Sequence, residues 1–567
     1  MNTKFIVVTG GVISGIGKGV TTASLGKIFK EHGYKTTLIK IDPYINYDAG
    51  TLRPTEHGEV WVTEDGGEID QDLGTYERFI NEDIPKHNNI TTGQIYHTVI
   101  ERERKGEYLG TTVQFAPHII DEVVARIKKA VIGYDIAVIE VGGTVGDYEN
   151  VPFLFALKSL EQRLGPGNVS YVLVTYLPIP AHIDEMKTKP TQQAIRHLSE
   201  HGIMPNFIIC RSKYPLDDVR KRKIERFAHI ASDNIIAAED VSCVYAVPLL
   251  FEKQQLGEKL LTSLQLPYRQ EPRWEVWQQR LNAIVNPSKS IKIAIVGKYL
   301  GSGSFDFTDS YISIYHALIH AGAEQQVSID VTWIDAASVE TGETVLTCLD
   351  QFDGIIIPPG FGGRGVEGKM KVIHYARMYD IPLFGICYGL QLTVVEFARN
   401  VCGLVNAHTT EVNADTPYPV IDILPLQKQL LQDKAYGGTM RLGAYSAILK
   451  SGTRIQKLYK KNIILERHRH RYEVNPHFVE TLANKGLVFS GYHERRDGTM
   501  LMEFVELPTH RFFIATQAHP EFKSRLGNPS PLFYGFVQAA HEFKQYRKQQ
   551  QNYGKDKSLL NRYDLAN

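Results

Sequence analysis

The stretch Phe5-Ile6-Val7-Val8-Thr9-Gly10-Gly11-Val12-Ile13-Ser14-Gly15-Ile16-Gly17-Lys18-Gly19 decides the fold class of the first half of the chain. Four apolar residues read as a buried strand, residues 20–32 as a helix, and Gly33 stands just past its end. Strand, glycine loop, lysine, helix is a layout that holds a nucleoside triphosphate. Backbone N–H groups converge on phosphate oxygens, the helix N-terminus adds partial positive charge, and the lysine adds a full one. The loop is irregular. Val12 to Ile16 place five residues between Gly11 and Gly17, where the standard loop has four. Gly19 follows Lys18, where Ser or Thr would ligate magnesium. Alone, the pattern also suits a plain glycine turn.

Working outward, apolar runs at 36–41, 136–141, 171–175, 207–210 and 244–247 read as further strands, with helices at 117–132 and 191–201 between them. Continuous apolar strands alternating with helices predict a mostly parallel, doubly wound sheet. The alternation breaks at 266–290, which holds Pro267, Pro272, Pro287 and a short helix near 274–284. It restarts at 291–297, with strands at 354–357, 382–386 and 512–516. The reading is α/β with two doubly wound domains, at 1–265 and 291–545. A linker at 266–290 joins them, and a polar Lys/Gln-rich tail at 546–567 reads as a frayed helix or a disordered end.

Composition narrows the function classes. The chain has 567 residues, and 63 Lys+Arg balance 63 Asp+Glu. Zero net charge argues against a broad nucleic-acid or membrane surface, while a local patch still suits a small anion. The five cysteines are scattered and form no CxxC, which predicts a reducing, cytoplasmic setting rather than a disulfide scaffold. No apolar run reaches about 18 residues, so no membrane span is expected. The immediate strand at the N-terminus predicts no cleaved leader.

In the second half, Pro382-Leu383-Phe384-Gly385-Ile386 runs into Cys387, and Tyr388-Gly389-Leu390-Gln391 opens a helix. A cysteine on such a turn stands out of the sheet at a helix N-terminus, the nucleophile-elbow arrangement with sulfur for oxygen. A buried core cysteine is the bland alternative. Gln517-Ala518-His519-Pro520-Glu521 follows another strand. His519 suits a general base and Glu521 can orient its ring. The loop Pro358-Pro359-Gly360-Phe361-Gly362-Gly363-Arg364-Gly365 also follows a strand, and its amides suit an oxyanion. Three such features after strands of one domain outweigh the separate readings of surface pair and flexible loop.

These residues resemble a class I glutamine amidotransferase domain, with Cys387 as nucleophile, His519 as base and Glu521 as its partner. The family usually has two glycines after the first proline of the oxyanion loop; here Pro359 takes the first place and has no N–H. The oxyanion donors are therefore expected at Gly360 and Tyr388. The first half carries Lys40-Ile41-Asp42-Pro43-Tyr44, His57-Gly58-Glu59-Val60, Asp70-Gln71-Asp72, Glu140-Val141-Gly142-Gly143 and Lys187-Thr188-Lys189-Pro190-Thr191-Gln192. The second half adds Arg467-His468-Arg469-His470-Arg471-Tyr472-Glu473. In this order over both halves, the strings resemble the CTP synthases, which join a dethiobiotin-synthetase-like synthase domain to a glutaminase domain.

The resemblance implies ATP-dependent amination of UTP to CTP, with ammonia from glutamine, through a 4-phosphorylated intermediate. It implies ATP binding by Gly15, Ile16, Gly17, Lys18, Gly19, Val20, Lys40 and Asp72, with Glu239, Asp240 and Val241 near the adenine. Mg²⁺ would be held by Asp72 and Glu140. UTP or CTP would be bound by Ser14, Asp147, Tyr148, Glu149, Lys187, Thr188, Lys189, Pro190, Thr191, Gln192 and Lys223. Glutamine would be bound by Gly360, Tyr388, Gly389, Leu390, Gln391, Glu411 and Arg471, with His57 near an ammonia passage. GTP is implied as activator, CTP as feedback inhibitor, and a homotetramer that can form filaments as the assembly. Another ATP-dependent amidase, such as one acting on a corrin ring, and an inactive filament protein stay open as alternatives.

Overall fold

The computed structural model describes residues 3–302, 305–306, 309–423 and 440–563. Helix Pro531–Tyr563 runs through the start of the expected polar tail, and 564–567 lie outside the described residues. The chain divides into two compact units. One joins Met1–Thr51 to Glu68–Leu281; the other joins Leu52–Gly67 to Asn282–Asn567. The chain thus contributes residues 52–67 to the second unit before it completes the first.

The first unit is built on a seven-stranded sheet. Its strands are β1 (Lys4–Gly10), β2 (Thr36–Asp42), β3 (Asn89–Thr91), β4 (Ile136–Val141), β5 (Val169–Tyr176), β6 (Phe207–Ser212) and β7 (Ile235–Glu239), in spatial order β3-β2-β4-β1-β5-β6-β7. All pairings are parallel. β1, β2 and β4 are almost wholly buried, as apolar strands covered on both faces must be. The strand expected at 244–247 is not one. Val244–Ala246 form a single tight turn and Val247–Glu252 a helix with Pro248 in its first turn. A proline ring suits that position because its fixed φ is helical and its missing N–H is not needed there. The seventh strand is Ile235–Glu239, paired to β6.

The second unit has a nine-stranded sheet. Its strands are β8 (Lys289–Gly297), β9 (Val327–Asp335), β10 (Gly354–Ile357), β11 (Leu383–Ile386), β12 (Arg441–Leu449), β13 (Ile463–His470), β14 (Val488–Glu494), β15 (Met500–Glu506) and β16 (Phe513–Thr516). The order is β9-β8-β10-β11-β16-β15-β14-β12-β13. β9 to β16 in that order are parallel, the doubly wound part. An antiparallel extension follows, which the apolar runs did not reveal. Its strands mix buried with half-buried positions, for example in β12, and so lack a continuous apolar signature. The break at 266–290 contains helix Glu275–Val285. Among the described residues no helix is long and apolar enough to cross a membrane.

Candidate active sites

In the first unit, β1 ends at Gly10 and the chain turns into helix α1 (Lys18–Glu31) through three residues with positive φ, Val12, Gly15 and Gly17. The Val145 amide donates to the Gly10 carbonyl at 2.8 Å, and the Gly11 amide donates to the Val174 carbonyl at 3.0 Å. The loop is thereby held between the ends of β4 and β5. A Cβ on Gly11 would strike Ala194 of the helix Lys189–Glu200, so that helix packs directly on the loop.

Lys18 is buried and donates to the Gly143 carbonyl. Burial lowers its pKa below the ordinary lysine value, against the pull of Glu140. Lys40 on β2 donates to Glu140 Oε1 at 2.9 Å and to Asp72 Oδ2. Burial opposes the Lys40 charge, but Asp72, Glu140 and Asp42 outweigh it and hold the ammonium well above its ordinary value. Burial raises the Asp42 and Glu140 carboxyls, and burial together with Asp72 and Asp42 raises Asp70 further. A pocket so rich in buried carboxylates gains from a divalent cation.

Gly19 lies against two of these carboxylates. A Cβ there would collide with Asp72 Oδ1 and lie 3.7 Å from Glu140 Oε2. Asp72, which begins helix α2 (Asp72–Ile80), therefore fills the space where the usual loop serine or threonine would project. Two carboxylates thus stand where the loop lacks its hydroxyl. Among the described residues no three His, Cys, Asp or Glu side chains converge as a metal cage. Mg²⁺ held by Asp72 and Glu140 would complete its shell with phosphate oxygens and water, as is usual for this ion.

Gly17, Val20, Glu239, Asp240 and Val241 line one cavity with Arg211. Arg211 was not singled out from sequence. It donates to the Ile16 carbonyl at 3.3 Å and pairs with Asp240 at 2.5 Å. Its signal was position: a charge at the carboxyl end of an apolar strand, where open α/β sheets bind ligands. Ser14, Asp147, Tyr148 and Glu149 are exposed, and Thr188 is buried ahead of the helix that carries Lys189, Pro190, Thr191 and Gln192. Lys187 pairs with Glu185 at 2.6 Å, as does Arg220 at 2.9 Å. Lys223, exposed and nearly one turn beyond Arg220, lies on the helix Asp218–Ala228, which packs against the helix Lys189–Glu200.

In the second unit, Cys387 joins β11 to helix α3 (Tyr388–Asn400) with φ 53° and ψ −100°, a strained conformation for a residue with a Cβ. Its amide donates to the Thr516 carbonyl at 2.7 Å, which fixes the turn to β16. Gly389 is required: a Cβ there would drive into the Ile357 carbonyl. His519 Nδ1 lies 2.7 Å from Glu521 Oε1. Its Nε2 is buried without a hydrogen-bond partner among the described residues, and Cys387, His519 and Glu521 line one cavity with Gly360. Burial alone would lower the imidazole pKa, but Glu521 and the Cys387 sulfur reverse the sign and push it up to about 10. Glu521 thus favours the charged form of the imidazole against the cost of burial.

The oxyanion loop is fixed from below. Lys369 donates to the Pro358 carbonyl at 2.9 Å, Lys298 to the Phe361 carbonyl at 2.7 Å, and the Tyr388 hydroxyl to the Gly362 carbonyl at 3.0 Å. The Phe361 amide is taken by the Tyr299 hydroxyl and the Gly362 amide by Glu411. Among the described residues the Gly360 and Tyr388 amides make no hydrogen bond, which leaves the two expected donors available. Gln391 donates to the Tyr472 carbonyl at 3.0 Å. Glu411 is raised by burial against the charges of Lys298 and Arg471. Lys298 and Lys369 were missed from sequence. Lys369 had a signal: it shares a helix face with Val366, Ile373 and Ala376, all buried.

Residues 4–266 match the family model described as CTP synthase N-terminus, and residues 306–539 the model described as glutamine amidotransferase class-I. A CTP synthase of Pyrococcus abyssi is 52% identical over 543 residues, 96% of this chain and 99% of that protein. One of Methanocaldococcus jannaschii is 51% identical over 543 residues, 95% of this chain and 98% of that protein. A solved Trypanosoma brucei CTPS glutaminase domain with bound acivicin is 36% identical. It covers 44% of this chain and 94% of that domain, with a TM-score of 0.41.

Proposed function

The chain belongs to the CTP synthase family, ligases that carry a glutamine amidotransferase domain, and on that premise we propose that it aminates UTP to CTP with ammonia from glutamine and energy from ATP. The observation that carries the reading is the pairing of two complementary chemistries in one chain. One site is a glycine loop with Lys18, Lys40, Asp72 and Glu140; the other is a cysteine on a strained turn that shares a cavity with a histidine paired to Glu521.

A uracil carbonyl oxygen is a poor leaving group until it is phosphorylated. Lys18 and Lys40 neutralise charge on the transferring phosphoryl group, and the glycine-loop amides hold its donor. Asp72 and Glu140 would hold Mg²⁺, which would supply further neutralisation of phosphate charge. Arg211 and residues 239–241 position the adenine end. Residues 187–192, with Ser14, Asp147, Tyr148, Glu149 and Lys223, take the pyrimidine nucleotide.

In the second unit, Cys387 Sγ attacks the glutamine amide carbon. The amides of Gly360 and Tyr388 receive the negative oxygen, and His519 gives its proton to the departing ammonia. His519 then takes a proton from water as that water opens the thioester and frees glutamate. Glu411 meets the substrate ammonium and Arg471 its carboxylate. The ammonia displaces phosphate at C4 of the activated pyrimidine. GTP activation, CTP inhibition, a homotetramer with a capacity for filaments and a cytoplasmic setting belong to the same reading.

The test is UTP conversion to CTP with glutamine or with ammonium chloride, with and without ATP, magnesium and GTP. CTP formation from both nitrogen sources, dependent on ATP, and a GTP stimulus confined to glutamine are expected. ATP-driven amination of some other acceptor with UTP untouched overturns the assignment.

A further inference from the structure

Residues 52–67 come from the first half of the sequence, yet they are built into the second unit. They are fixed there along their whole length. Ser310 donates to the Pro54 carbonyl at 3.1 Å, the Ser313 amide to Glu59 at 3.2 Å, and the Ala444 amide to the Glu64 carbonyl at 2.9 Å. Gly443, with φ 90°, is needed for this approach, since a Cβ there would stand 2.7 Å from the Gly66 nitrogen.

The middle of the segment reaches the catalytic histidine by two routes. Trp61 is fully buried and its ring centroid lies 4.8 Å from that of Phe522. Phe522 in turn stacks on His519, with centroids 5.1 Å apart and planes 7° apart. By the second route, Arg467 donates to the Val62 carbonyl at 3.0 Å and to Glu64 at 3.1 Å. Its own carbonyl accepts from the His519 amide at 2.8 Å. The Arg467 guanidinium also lies 5.2 Å from the centre of the Trp61 ring.

Glu521 fixes one nitrogen of the imidazole but leaves the ring free to tilt about that bond. A stacked neighbour removes the tilt, and Phe522 keeps its place only if something backs it. We propose that Trp61 is a positioning residue for glutamine hydrolysis: by backing Phe522 it sets the plane in which His519 presents Nε2 to Cys387. The inference rests on the reading of Cys387, His519 and Glu521 as a glutaminase.

Full-length Trp61→Leu and Trp61→Phe decide it. Each is assayed for glutaminase kcat and KM across pH, for CTP formation from ammonium chloride, and for folding by near-ultraviolet circular dichroism. Misalignment of a proton-transfer group predicts that Trp61→Leu loses about tenfold or more in kcat with KM within about twofold. Its alkaline limb moves, and ammonia-dependent synthesis stays within about twofold of the parent. Trp61→Phe keeps a ring in place and recovers most of the loss, ending about two- to fivefold below the parent. A Trp61→Leu protein with parental kcat and pH profile overturns the proposal, as does one that loses both nitrogen sources equally. If Trp61→Leu does not fold, Trp61→Phe alone decides, and a kcat equal to the parent's overturns it. A parent enzyme that does not hydrolyse glutamine sinks the functional reading instead.

Discussion

The phosphate loop of the first unit and the cysteine turn of the second both stand where a parallel strand hands over to a helix, but they are built oppositely. The first is open at its rim: Ser14, Gly15 and residues 146–149 are exposed. Burial and mutual repulsion raise its carboxyls, and Lys40 bridges two of them. The second is closed. Cys387, His519 and Glu521 are 2%, 4% and 1% exposed, the backbone is strained, and the oxyanion loop is held by two lysines and a tyrosine. On the proposed function, the first site takes large polyanions and is completed by its substrates. A site that makes a covalent bond is assembled beforehand, with strain at the nucleophile.

If that contrast is right, damage to the closed site is confined and damage to the open one is not. Cys387→Ala is expected to lower glutamine-dependent CTP formation by about 10³-fold or more, with ammonia-dependent formation within about twofold. Loss of both in a folded protein would break the division. Lys18→Ala is expected to lower synthesis by about 10²- to 10³-fold with either nitrogen source, while glutamine hydrolysis without nucleotides persists. Initial rates with each nitrogen source check both variants.

Glu521→Gln sharpens the electrostatic side. Burial disfavours the charged imidazole, and Glu521 is the largest influence that reverses this. Because the folded pKa is raised, the stabilisation is complete below the ordinary value of 6.5. It fades as pH rises through about 10. Removing the Glu521 charge lowers that upper edge. The alkaline limb of kcat/KM for glutamine is expected to move to lower pH, with about a tenfold to 10²-fold lower rate at neutrality. An unmoved limb would mean that Glu521 is only a spacer. The smallest effect is expected of Pro359→Gly. The neighbouring carbonyls are already held by Lys369 and Lys298, so glutaminase kcat stays within about twofold. A rise above about fivefold would mean that the ring holds the Gly360 amide off its target.

The parallel cores were legible because apolar runs such as 5–8, 136–141 and 382–386 have no other stable use in an alternating chain. The run at 244–247 was ambiguous by the same measure, and Pro248 tipped it to a helix. The antiparallel extension was hidden, since half-exposed strands such as β12 alternate too weakly to announce themselves. At the sites, residues with distinctive chemistry on turns were readable: Lys18, Cys387, His519. The groups around them were harder to read: Lys298, Lys369, Arg211 and Phe522 act by where the fold puts them, and only Arg211 and Lys369 left a signal of position. Gly19 shows the limit most clearly. As sequence it was a lost ligand; in three dimensions it is the room that Asp72 needs.

The excursion of residues 52–67 has a consequence for anyone dividing this chain into pieces. A single cut near Leu281 would free the two sheets from one another on paper, but the fragment holding Cys387 would lack Trp61 and Glu64, and the other would carry them with nothing to fold against. Two genes made by splitting the sequence there would not encode two modules. The product holding Cys387 would be incomplete, so Leu281 is a poor place to divide the chain. A circular permutant that keeps residues 52–67 covalently upstream of Asn282 would be the sounder design.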